Sequence, residues 1–173
     1  MSAIIRAASP DAAAAIAGVH IASLRASSSD LLPTHLTPLL LPPPDAAPRA
    51  QAWQRWLGRR RTSTFAALVG ATVTGFCTLH PVRDESGVGV GEIASFYVLP
   101  AEWRRGTGRR LGERAVAEAR ARRFAEIVLW VLETNARARS FYEALGFRPD
   151  GESRVFLERP YASWRELRYR RAA

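Results

Sequence analysis

Apolar positions in the N-terminal part of the chain recur at helical spacing, between segments that a helix could not cross. Ile4 to Ala7 is a short apolar segment. Ser9-Pro10-Asp11 then supplies a helix start, with Ser9 placed as N-cap and Pro10 at the first helical position, where a missing N–H costs nothing. The spacing predicts a helix to about Ser27, with Ile16, Val19 and Leu24 among alanines on its packed side. From Pro38 to Pro48 the run Pro-Leu-Leu-Leu-Pro-Pro-Pro-Asp-Ala-Ala-Pro reads as a loop inside the domain, since proline lacks the donor and clashes with the preceding turn. A second short helix, about Arg49 to Arg60, carries Ala50, Trp53, Trp56 and Leu57 on one stripe.

The period changes at Thr64. Thr64 to Val69 and Thr72 to Leu79 are extended runs joined by Gly70-Ala71, and a glycine first in a two-residue loop suits a type II′ hairpin turn. After a polar loop from Pro81 to Gly89, Val90 to Leu99 is a further strand, ended by Pro100. Thr107 or Gly108 to Arg123 reads as a helix with Leu111, Ala115, Val116 and Ala119 inward, and Glu126 to Leu132 as a strand covered on both faces. Asn135 to Leu145 is a short helix stopped by Gly146, placed as a left-handed C-cap. Ser153 to Leu157 and Leu167 to about Tyr169 look like two more strands. Strands interleaved with helices around one sheet predict an α/β or α+β sandwich, with a strand-loop-helix-strand crossover between Val90 and Leu132.

Composition narrows this picture. A chain of 173 residues with 47% apolar content has the size and the core material of a single domain. There is no signal-like start and no run near the roughly 18 apolar residues that span a membrane, so a soluble, cytoplasmic protein without a membrane partner is expected. Cys77 is the only cysteine, and His20, His35 and His80 have no ligand-like spacing, so no metal is expected. The net charge is +9, and all 25 basic residues are arginine. Such one-sided usage fits a coding bias, and the arginines are scattered rather than striped beside aromatic residues, which argues against a nucleic-acid partner.

Two segments carry chemistry. The turn Trp103-Arg104-Arg105-Gly106-Thr107-Gly108 joins a strand end to a helix start, where backbone N–H groups meet the positive end of a helix dipole. Side chains at Gly106 or Gly108 would hold an anion away from those donors. Arg109 and Arg110 stand in the first helical turn, where cations are disfavoured by about 0.3–1 kcal/mol unless an anion binds there. By itself the turn suits an anion site or a plain tight loop. In the second segment, Asn135, Ala138 and Tyr142 share one helix face. Asn135 can cap its helix or bond a ligand amide, and Tyr142 can be core or can aim its hydroxyl at a leaving group. Glu92, with Ala94, Phe96 and Val98 expected on its strand face, is either a solvated carboxylate or a base whose proton affinity burial has raised. Cys77 is a competing nucleophile, expected to share a face with Val73, Gly75 and Leu79 and away from His80.

Together these segments resemble the GNAT family of acyl-CoA-dependent N-acyltransferases. The likeness runs from about Ile4 to Arg171 and is strongest from Glu92 to Phe147. The family's turn is usually written Gln/Arg-x-x-Gly-x-Gly/Ala, and Trp103 stands here in its first place. The resemblance implies a mixed, mostly antiparallel sheet flanked by helices and splayed after the fourth strand, with acetyl-coenzyme A as co-substrate. It implies that Tyr97, Val98 and Leu99 lie along the pantetheine arm, that Arg104, Arg105, Gly106, Thr107, Gly108 and Arg109 hold the pyrophosphate, and that Asn135 contacts the arm. Tyr142 falls where many members protonate the departing thiolate, and Glu92 where some carry their base. The implied reaction is direct attack by a primary amine of a small molecule or a protein or peptide N-terminus. A binding module without turnover is the alternative. The resemblance puts His20 to Trp56 and Arg83 to Gly91 around the acceptor. Their few acids, Asp30, Asp45, Asp84 and Glu85, argue against a highly cationic one. Homodimers are common among similar proteins, and a homodimer is the assembly the resemblance allows.

Overall fold

The computed structural model describes residues 2–31, 47–82, 89–159 and 162–173. The proline-rich run through residue 46, most of the 81–89 loop and His35 lie outside them. Seven strands form one sheet in the order β1-β2-β3-β4-β5-β7-β6: β1 Ile4–Ala7, β2 Ser63–Val69, β3 Thr72–Pro81, β4 Val90–Val98, β5 Glu126–Leu132, β6 Arg148–Arg159 and β7 Ala162–Ala172. All neighbours are antiparallel except β4 and β5, which the crossover helix makes parallel. The helices are α1 Ala13–Leu31, α2 Ala47–Leu57, α3 Thr107–Ala121 and α4 Ala136–Ala144.

Each helix lies on the side its apolar stripe dictates. Leu111, Ala115 and Ala119 of α3 are fully buried at a spacing of four, against Phe65, Cys77, Leu79 and Ile127 on one face of the sheet. Tyr142 of α4 and Phe147 complete that cluster. On the other face Ile16 and Ala17 of α1 and Trp53 of α2 cover Phe76, with Val73, Tyr97 and Leu99 beside them. Burying a side chain such as Leu111 contributes about 2 kcal/mol, so these two clusters set which strand residues face which helix pair.

Several boundaries differ from the sequence-based expectation. A short 3-10 turn, Pro10–Ala12, precedes α1, Ser9 makes no side-chain cap bond, and α1 runs on to Leu31 rather than stopping near Ser27. Helix α2 begins at Ala47, so the expected loop ends two residues early. Pro48 sits in the first helical turn, where no donor is required of it. The hairpin is as expected: Gly70 has φ +61, and Ala71 is not among the residues with positive φ. The last two strands are much longer than predicted, because arginine–carboxylate pairs join them where a count of apolar positions shows no strand. Arg154 pairs with Glu166 at 2.6 Å, and Arg168 and Arg170 share Asp150 at 2.7 and 3.1 Å.

Two β-bulges overturn expected side-chain faces. In β3, Ala67 pairs with Gly75 but Leu68 pairs with Val73, which leaves Thr74 as the extra residue. Val73 therefore joins the α1 face, while Cys77 keeps only Gly75 and Leu79 of its expected companions. In β4, Thr78 pairs with Ser95 but Leu79 pairs with Ile93, so Ala94 is the extra residue. Glu92 therefore does not share a face with Phe96 and Val98. It lies opposite His80 and shares the α1–α2 face with Ser95 and Tyr97.

Candidate active site

The bulge at Ala94 coincides with a parting of the sheet. Strands β4 and β5 are paired only from Val90↔Glu126 to Ile93↔Leu129, although β4 continues to Val98 and β5 to Leu132. Beyond Ile93 each strand stays bonded to its outer neighbour, β3 or β7, and a wedge opens between them. The inner edge of that wedge carries backbone groups with no strand partner. Leu99 donates its N–H to Thr74 O at 2.9 Å, so residues 97 and 99 turn their peptide groups to β3 and Val98 turns its own into the wedge. Of the three residues expected along an arm, Val98 thus offers a backbone donor, while Tyr97 and Leu99 have theirs committed to the sheet.

The turn at the wide end of the wedge has two left-handed residues, Arg104 (φ +60) and Gly106 (φ +83), separated by Arg105. Such alternation gathers successive N–H groups around a concavity. Holding an arginine in that conformation costs about 1 kcal/mol. Gly106 is the N-cap of α3, and no side chain caps it, so the amides of Thr107, Gly108 and Arg109 point out of the helix end. A Cβ on Gly106 would meet nothing within 4 Å, so its glycine answers to backbone angle alone.

Gly108 has a different reason. A Cβ there would stand 3.1 Å from the Phe141 ring, so this glycine lets α4 pack closely on α3. The Thr107 side chain is buried and donates to Glu102 at 3.2 Å, leaving only its amide for a ligand. Arg105 reaches the same Glu102 at 3.6 Å, and Arg109 pairs with Glu113 at 2.8 Å on the surface. Arg110 swings away to Ala3 O at 2.8 Å. Arg104 and Arg105 remain exposed beside the turn.

Two residues at this end were not singled out from the sequence. Trp103 donates its indole N–H to Val98 O at 2.8 Å, and the Arg137 guanidinium lies 3.8 Å from the centre of its ring. The residue in the turn's first place thus ties the end of β4 to the start of α4. Only its departure from the family pattern hinted at a special role.

Asn135 accepts from Ala138 N at 3.0 Å, so its carbonyl oxygen caps α4 and its amide donors remain. Tyr142 packs its ring on Phe96, Phe141 and Phe147, and its hydroxyl makes no hydrogen bond among the described residues. Burial is the main cause raising its pKa well above the usual phenol value, so the hydroxyl keeps its proton. Cys77 is fully buried and its thiol pKa is likewise raised by burial, the wrong direction for a nucleophile. Glu92 pairs with Val128 across the last rungs before the wedge, on the opposite face of the sheet from Tyr142. The two candidate proton carriers therefore flank the opening from its two sides.

On the α1–α2 face the wedge borders an aromatic cluster that sequence spacing could not assemble. His20 of α1 lies 4.5 Å from Tyr97, ring to ring, with Trp53 and Phe76 edge-on. Its Nδ1 accepts from Trp53 Nε1 at 3.2 Å and lies 3.1 Å from an Arg49 NH group. Burial, then the Arg49 charge, lowers its pKa to about 4.

The chain is similar to acetyltransferases both in sequence and in fold. Residues 30–147 match the model of the acetyltransferase (GNAT) family. A probable N-acetyltransferase of Mycobacterium tuberculosis is 29% identical over 164 residues, covering 90% of this chain and 84% of that protein. Among solved structures, an N-acetyltransferase of Staphylococcus aureus superposes with a TM-score of 0.77 at 18% identity, covering 99% of both chains. The PaiA N-acetyltransferase of Thermoplasma acidophilum, in complex with coenzyme A, gives 0.75 at 17% identity over 100% of both. YncA of Salmonella typhimurium, with its cofactor acetyl-CoA, gives 0.73 at 19% identity, covering 99% of this chain and 94% of that one.

Proposed function

Because the chain belongs to the acetyltransferase (GNAT) family, we propose that it transfers the acetyl group of acetyl-coenzyme A to a primary amine, of a small molecule or of a protein or peptide N-terminus, by direct attack in a ternary complex. The observation that carries this reading is the wedge. Its inner edge presents the Val98 N–H, and its wide end presents the uncapped N-terminus of α3.

The residues present suit such a ligand. The amides of Thr107, Gly108 and Arg109 would take the pyrophosphate, with Arg104 and Arg105 adding charge from solvent. The Asn135 amide and the β4 edge would take the amides of the arm. Acetyl-coenzyme A supplies an activated acyl group as a thioester. The rest falls to the chain. Val98 N–H would donate to the acyl oxygen, where developing negative charge is best stabilised by a fixed dipole. An alkyl ammonium has a pKa of about 10.4, so Glu92 would remove its proton, directly or through water, from the α1–α2 side. Tyr142, kept protonated by burial, would return a proton to the sulfur from the α4 side.

Acceptor entry from the α1–α2 face and cofactor entry from the α3–α4 face keep both substrates in contact without an enzyme-bound acyl group. The expected setting is the cytoplasm, with no membrane or nucleic-acid partner, and a homodimer as the assembly. Thiol release from acetyl-coenzyme A with a panel of amines tests the reaction. Intersecting initial-rate lines are expected, whereas parallel lines would point to an acyl-enzyme. Coenzyme A binding without amine-dependent thiol release would reduce the protein to a binding module.

A further inference from the structure

Arg49 is a cation in a place that disfavours one. It lies in the first turn of α2, where the helix dipole opposes positive charge, and its side chain is half-buried. Its guanidinium faces a neutral partner. Trp53 Nε1 and Arg49 both approach His20 Nδ1, which must therefore accept, leaving the ring proton on Nε2. Among the described residues no carboxylate pairs with Arg49. Of the described acids, Glu102, Glu113, Glu118, Glu126, Asp150 and Glu166 are each paired with another arginine.

A guanidinium offers five donors in a fixed fork, and one imidazole nitrogen satisfies little of it. With no carboxylate partner among the described residues, this guanidinium in the first turn of a helix is disfavoured by the helix dipole. The His20 ring that carries it rests on Tyr97, the residue next to Val98 on the edge of the wedge. Burial, and after it the Arg49 charge, keeps the His20 ring neutral.

Resting on the acyltransfer reading above, we propose that the acceptor amine also carries a carboxylate, and that Arg49 binds this carboxylate on the α1–α2 face. A single guanidinium matches one carboxylate in a paired, two-bond geometry, whereas a phosphate dianion is usually met by several cations. His20, itself held by the Trp53 indole N–H, hydrogen-bonds the fork and so sets the direction from which the carboxylate is met. The amine end is then left towards Glu92 and the wedge.

The test uses the full chain with saturating acetyl-coenzyme A and matched pairs: glycine, β-alanine, 4-aminobutyrate and phenylalanine, each against its own amide. At least one free acid should exceed its amide in kcat/KM by about tenfold or more, the scale of one charge-assisted pair. Arg49→Gln, which can still donate to His20, should raise KM for that acid and move the acid-to-amide ratio towards one, and Arg49→Glu should invert it. A ratio that Arg49→Gln leaves as it was, or amides that match their acids throughout, overturns the carboxylate site while acyl transfer stands. Thermal stabilisation of the coenzyme A complex by the free acids, lost in Arg49→Gln but without thiol release, would keep the site and overturn acyl transfer.

Discussion

Gly112 of α3 lies so close to Leu145, the C-cap of α4, that a Cβ on the glycine would stand 2.5 Å from Leu145 Cδ1. One turn earlier Gly108 meets Phe141 in the same way, so two glycines four residues apart receive two large side chains four residues apart. This contact holds the N-terminus of α3 and the Tyr142 side of α4 together on one face of the sheet. Gly112→Ala should destabilise the protein by about 1 kcal/mol, an overpacking cost of about 1–3 kcal/mol partly offset by about 1 kcal/mol of helix propensity. In a Leu145→Ala background the same change should be stabilising, because only the propensity gain remains. Thermal unfolding of the four proteins checks this, and an equal loss in both backgrounds would refute the close contact.

Coenzyme A affinity should depend more on backbone angle than on arginine charge. Gly106→Ala forces a residue with a Cβ to φ +83, at about 1–2 kcal/mol, or about five- to thirtyfold in Kd if the turn relaxes away from that angle. Arg109→Ala removes an exposed side chain already paired with Glu113, and should weaken binding less than about threefold. Calorimetric titration with coenzyme A decides between them. The reverse ranking would move the anion site from the amides to the arginines.

Tyr142→Phe should lower kcat by about a hundredfold or more, the usual scale for a lost general acid, with little change in coenzyme A affinity. The ring packs in an apolar cluster that phenylalanine can fill, so the fold should persist. Unchanged turnover in the folded variant would remove the hydroxyl from the reaction.

Cys77→Ala should keep turnover within about twofold, since burial raises the thiol's pKa and disfavours the thiolate that a nucleophile needs. A folded variant that loses acyl transfer would restore the ping-pong route.

Stability should fall with acid through His20. Its pKa drops from 6.5 to about 4 on folding, so between those values the unfolded chain binds more protons and stability rises with pH. The contribution is complete above 6.5 and lost as pH falls towards 4, at most about 3 kcal/mol. Denaturant midpoints of the wild type and His20→Gln, compared from pH 7 to 4, should converge as the pH drops. A constant gap would contradict the neutral, buried ring.

Features set by neighbouring residues in the chain were legible in the sequence. The Gly70 hairpin, the β5 run, the Asn135 cap and the Gly146 stop each depend on a few adjacent residues and their preferred backbone angles. The turn and the Asn135 to Phe147 block also pointed correctly to the family, because each is a contiguous motif. The face of Glu92 was not legible. A period-two count runs straight through Ala94, whereas the bulge there exists only because β3 pairs Thr78 with Ser95 and Leu79 with Ile93.

The sequence by itself therefore determined the elements, their order and the family, through local backbone preference and contiguous motifs. Tertiary structure alone decided where the sheet parts, which face each candidate proton carrier uses, and that Arg49, His20, Trp53 and Tyr97 meet. The physical reason is that a strand's register, and so the side to which its residues turn, is set by hydrogen bonds to a neighbour far along the chain. A half-buried guanidinium beside a neutral histidine 29 residues away leaves no trace in either local pattern.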